Sequence, residues 1–98
     1  MRIETSGGSE DLSYTIIEWP TGKGVADHVN NEVDVILVIL SGTGEVVVDG
    51  ETFQVGIGEA LLIPKAARRA VTSRSDDFRY LNIHRRRRGI VVGAMPRA

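Results

Sequence analysis

The sequence predicts an all-β domain, a sandwich or barrel of about seven or eight short strands, on three observations. Runs rich in β-branched and aromatic residues recur along the chain. Gly, Pro and Asp turn signals separate them at nearly regular spacing, and eleven of the 98 residues are glycine. No segment carries the apolar period of an amphipathic helix.

The elements follow in order. Leu12 to Trp19, LSYTIIEW, is a strand by composition and ends at Pro20, where the backbone loses a donor. TGKG follows as a loop. HVNNE then places His28 and Asn30 two residues apart, the spacing of a pair of metal ligands, before an unbroken apolar run from Val35 to Leu40. A strand with one wet face would alternate, so this run needs cover on both faces: the interior on one side, a second sheet or a second subunit on the other. Glu45 to Val48 and Thr52 to Val55 flank Asp49-Gly50, the strongest hairpin signal in the chain, because both central positions accept positive φ. A glycine turn precedes the strand Ala60 to Ile63, which Pro64 ends. ARRAVTS forms the next strand, RSDD a turn, and FRYLNIH alternates, with Leu81 and Ile83 on one face and Tyr80, Asn82 and His84 on the other.

At 42% hydrophobic and 26% charged residues the chain suits one domain, 1–98, with a core over about 12–86 and an apolar tail over 89–98 that docks on its own barrel or on a partner. Cysteine is absent, so any metal would take nitrogen and oxygen ligands. With no apolar stretch long enough to span a bilayer and no secretion-signal pattern near the start, the expectation is a soluble, cytoplasmic protein without membrane contact. The net charge of −1 hides an uneven distribution. Residues 1–63 carry eleven acidic side chains against Arg2 and Lys23, and residues 64–98 carry ten basic ones against Asp76 and Asp77. In a barrel the two halves interleave, so the asymmetry is free to cancel on the surface. The basic run Arg85 to Arg88 reads as a solvated strand end that discourages edge pairing, and without interleaved aromatics it does not point to nucleic acid.

Two spaced motifs resemble those of the small single-domain cupins, over roughly Leu12 to Arg86. The first reads Gly22, five residues, His28-x-Asn30, four residues, Val35, six residues, Gly42; the second reads Gly58, five residues, Pro64-x-Ala66, two residues, Arg69, three residues, Ser73. The spacing is that of the family, and the resemblance implies its double-stranded β-helix or jelly-roll barrel. It also implies a metal held at four positions, of which only His28 keeps the usual residue; the others are Asn30, Val35 and Arg69. Valine offers no donor, and arginine sets a fixed positive charge where a cation would sit. The expectation is therefore no metal, with a divalent ion at His28 as the residual alternative.

His28 is either a half-buried histidine with one hydrogen bond or a proton donor and acceptor. Arg69 shares a face with Ala67 and Val71, so it points inward and pairs either with an internal carboxylate or with the carboxylate or phosphate of a ligand. The expected site is a cavity binding a small organic anion through Arg69, His28 and Asn30, lined by Trp19 and Tyr80. Ile36, Val38 and Leu40 on the second face of their strand predict a homodimer. Two further functions stay open: a metal-dependent or metal-free cupin enzyme of oxygenase or isomerase type, and a structural or regulatory dimerisation module.

Overall fold

Nine strands and no helix make up the described part of the chain, residues 1–86 of a computed structural model. The expected docking of the tail 89–98, and the last two arginines of the basic run, lie outside the described residues. The strands are β1 (Arg2–Gly8), β2 (Leu12–Trp19), β3 (Gly24–Val29), β4 (Val35–Ser41), β5 (Thr43–Val48), β6 (Glu51–Gly56), β7 (Ala60–Ile63), β8 (Arg68–Ser73) and β9 (Phe78–Arg85). Their pairing nests about one turn. β5 pairs with β6 across Asp49-Gly50, β4 with β7, β3 with β8 and β2 with β9, all antiparallel. The chain is one long hairpin rolled up, so alternate pairs fall in alternate sheets: β1-β2-β9-β4-β7 in one and β3-β8-β5-β6 in the other. That is the jelly-roll barrel.

The turn at the centre behaves as its sequence demands. Asp49 and Gly50 have φ of 48° and 82°, the double positive φ of a type I′ hairpin. Gly58 holds φ 83° in the turn before β7.

Side chains from the two sheets meet in a core of Ile17, Val35, Leu37, Ile39, Val46, Ile63, Val71, Phe78 and Tyr80, all nearly excluded from solvent. β4 resolves the doubly apolar run as two unequal faces. Val35, Leu37 and Ile39 point inward, whereas Ile36 is 42% exposed and Val38 and Leu40 are half-buried. Cross-strand register continues that outer face over four strands, in a row Tyr14, Ile83, Ile36, Leu62 and a second row Ile16, Leu81, Val38, Ala60. The outside of the five-stranded sheet is thus an apolar surface within a single chain.

Two strands, β1 and β3, escape the sequence patterns. β1, RIETSGG, is mostly exposed and adds to β2 as an edge strand; its carboxylate Glu4 pairs with Arg2 and Arg79, and Arg2 also reaches Glu18. β3, GVADHV, has no alternating apolar pattern and is fixed by its ladder to β8. Part of the charge asymmetry between the halves cancels by interleaving. Arg68–Asp27, Arg74–Glu45 and Arg79–Glu4 each join a late arginine to an early carboxylate.

Candidate functional site

The inward faces stack in layers along the barrel, set by register. One end carries the row Val35, His84, Ser13 of the five-stranded sheet. Beside it in the other sheet His28 of β3 sits directly across from Arg69 of β8. The middle layer is Thr15, Asn82 and Leu37, and beyond it come Ile17, Tyr80 and Ile39. The far end closes on Trp19 paired with Phe78, whose ring packs over Gly44.

Arg69 is fully buried, as its face with Ala67 and Val71 predicts. Its guanidinium is held by the turn that precedes it: Nε donates to the Ala67 carbonyl at 3.0 Å and an Nη to the Pro64 carbonyl at 2.7 Å. Both bonds run to backbone carbonyls, which fix the head group in place.

His28, half-buried, donates Nδ1–H to the Ala26 carbonyl at 2.8 Å. In the neutral ring this leaves the Nε2 lone pair as the remaining acceptor, and that atom is buried with no hydrogen-bond partner among the described residues. Asn30 has mainly a turn role. Its Oδ1 accepts the Glu32 N–H at 2.9 Å, its backbone carbonyl accepts the Ala66 N–H at 2.7 Å, and it thereby ties the β3–β4 turn to the β7–β8 turn. Its Nδ2 is buried and unpartnered among the described residues. The sequence-named residues thus divide. His28, Asn30 and Arg69 come together at one end.

Trp19 and Tyr80 form a separate pair. Trp19 Nε1–H donates to the Tyr80 hydroxyl at 3.0 Å, and Tyr80 stands four residues along β9 from His84, about 13 Å at strand rise. Burial pushes the Tyr80 phenol up to about 12, against the opposing effect of the Trp19 bond. A concavity of about 420 Å³ is lined by Leu12, Glu32, Ile36, Leu62, Lys65, Ile83 and His84, among others. None of the five sequence-named residues lines it.

Two polar residues of the interior were not singled out from sequence. Asn82 and Thr15 are both fully buried, and Asn82 Oδ1, Asn82 Nδ2 and Thr15 Oγ1 have no hydrogen-bond partner among the described residues. The signal was present in FRYLNIH, where alternation sets Asn82 on the face of Tyr80 and His84.

This chain belongs to the cupin family: the family model for the cupin domain matches residues 15–84. Solved structures share the fold. KdgF from a Halomonas species superposes with a TM-score of 0.80 at 20% identity, over 90% of this chain and 78% of that one. A cupin protein from Bacteroides fragilis gives 0.70 at 29% identity, covering 87% and 73%. The DMSP lyase DddQ from Ruegeria pomeroyi gives 0.73 at 21% identity, covering 85% of this chain and 42% of that one. No curated protein matches the sequence.

The donor set does not fit the divalent metal that the cupin motifs imply. At the four motif positions the chain presents an imidazole, a carboxamide, an isopropyl group and a guanidinium, and a catalytic zinc or iron site needs about three anionic or imidazole donors. Among the described residues no three His, Cys, Asp or Glu side chains gather as a metal-binding group. Asp34 instead accepts the Lys65 N–H at 2.8 Å, on the exposed side of the β4 entry.

Proposed function

We propose that this cupin domain works without a metal and binds a small organic anion at the barrel end formed by Arg69, His28 and Asn30. The observation that carries the reading is a fully buried guanidinium beside two inward-facing polar atoms, His28 Nε2 and Asn30 Nδ2, whose hydrogen-bonding capacity the described protein does not use. A fixed cation with neighbouring polar groups suits a carboxylate or phosphate, and orientation by backbone carbonyls lowers the ordering cost of binding. The test is a thermal-shift screen of small carboxylates and phosphates with metal content measured on the same untagged protein. Binding anions should raise Tm with ligand concentration, and Arg69→Ala should abolish the rise. A transition metal near one equivalent, or no response to any anion, refutes the reading.

The domain acts as a cytoplasmic homodimer in this proposal, associated through the outside of the five-stranded sheet. Leu12, Tyr14, Ile36 and Leu62 are each 40–58% exposed on that one face, a contiguous apolar surface of the kind that marks an interface. Light scattering that gives a monomer at micromolar concentration counts against it, and Ile36→Lys should dissociate the dimer.

One observation favours an enzyme as the second reading. The Nδ1–H bond to Ala26 orients the His28 ring and leaves Nε2 facing inward as a base for proton abstraction. Loss of turnover in a folded His28→Ala protein, with anion affinity retained, would support that reading over simple binding.

A further inference from the structure

Resting on the anion reading above, we infer that the ligand is a small hydroxylated acid, and that Asn82 and Thr15 read its hydroxyl group. The two residues are Cα partners across β2 and β9, so their side chains stand next to each other on the inward face. Both are fully buried, and among the described residues neither the Asn82 carboxamide nor the Thr15 hydroxyl finds a hydrogen-bond partner. Leucine and valine would fill the same space with no polar group to satisfy, as Leu37 does in the same layer. A carboxamide and a hydroxyl buried side by side therefore mark a place that a polar guest occupies.

The chemistry of the pair selects the guest. Asn82 Oδ1 needs a donor, and Asn82 Nδ2 needs an acceptor. A carboxylate has acceptors only and an ammonium donors only. A hydroxyl offers both, and Thr15 Oγ1 can donate or accept to complete the pair. The position fits as well. Asn82 lies two residues along β9 from His84, about 6.6 Å inward from the end where Arg69 and His28 stand. A carboxylate on Arg69 would set a hydroxyl a few bonds away at Asn82. The barrel thus discriminates by hydroxylation, since a site built to hydrogen-bond an O–H rejects the analogue lacking it.

Isothermal titration of the full chain with matched acids tests this, using succinate, malate and tartrate as one series and propionate and lactate as another. Wild type should bind the hydroxylated members at least about tenfold more tightly than the parent acids. Asn82→Leu and Thr15→Val, both close in shape to the native residue, should reduce that preference to within about twofold without weakening the binding of succinate and propionate. Equal affinity of wild type for parent and hydroxylated acids overturns the inference while the anion reading stands, and this is the outcome if the pair holds only water. A preference that survives in both variants overturns it too. Failure of every acid to bind wild type removes both.

Discussion

Ala66 is an alanine in a glycine's conformation. Its φ is 70°, in the left-handed region, at the third position of Pro64-x-Ala66. Ala66→Gly should stabilise the fold. An L-residue in that region carries a steric cost of roughly 1–2 kcal/mol from its Cβ, and glycine removes it. Against this stands the greater freedom of glycine in the unfolded chain, about 0.4–1 kcal/mol. The methyl group is exposed, so its loss forfeits no packing, and the Ala66 N–H bond to the Asn30 carbonyl is unaffected. The net is a gain of about 0.7 kcal/mol, or about 3–6 °C in Tm for a domain of this size. The assay is urea unfolding followed by far-UV circular dichroism at fixed protein concentration, where the midpoint should rise with the slope unchanged. Ala26→Gly supplies the control: it is equally exposed, lies in β3 without a positive φ, and should lose about 0.5–1 kcal/mol. Equal losses at the two sites would refute the reasoning, because they would show that the Ala66 backbone relaxes to an ordinary conformation at no cost.

Three other outcomes follow from the same geometry. A Cβ on Gly44 would lie 2.6 and 2.7 Å from Phe78 ring atoms, so Gly44→Ala should cost about 1–3 kcal/mol by overpacking, and adding Phe78→Leu should recover part of it in a double-mutant cycle. Glu4 has its carboxyl held below its ordinary 4.5, first by the hydrogen bond from Arg79. A depressed carboxylate contributes stability above its unfolded value, so the hold on β1 should be full at neutral pH and fade as pH falls from about 4.5 through the lowered folded value; Glu4→Gln should lower Tm at pH 7, and by progressively less as the pH is taken down. Tyr80, raised to about 12, favours the fold below pH 10 and loses that contribution as pH rises toward 12; absorbance titration should show Tyr80 ionising only with unfolding.

The fold was legible because the jelly roll writes itself in turns. Asp49-Gly50, Gly58 and Pro64 each fall where the chain reverses or a strand stops, and the inward set of β9 reads directly from its alternation. β1 and β3 were not legible because edge strands owe their conformation to a neighbour's ladder rather than to their own apolar content. For the site, the inward aim of Arg69 followed from strand period, since Ala67 and Val71 share its face. What holds the guanidinium did not: its partners include the carbonyls of Pro64 and Ala67, supplied by a turn whose left-handed Ala66 no composition rule announces. That Trp19 and Tyr80 occupy other layers than His28 was hidden for a related reason. Inwardness is a property of one strand, but the layer a residue occupies depends on the stagger between strands.

The separation of the two barrel ends also equips the protein with a reporter. Trp19 is the single tryptophan of the chain, half-buried and bonded to Tyr80 in the aromatic end, six residues along β2 from Ser13 in the row that holds Val35 and His84, about 20 Å at strand rise. Its fluorescence therefore follows the integrity of the aromatic closure. A guest arriving beside Arg69 leaves the emission maximum unchanged, and a shift to the red signals that the far end has opened.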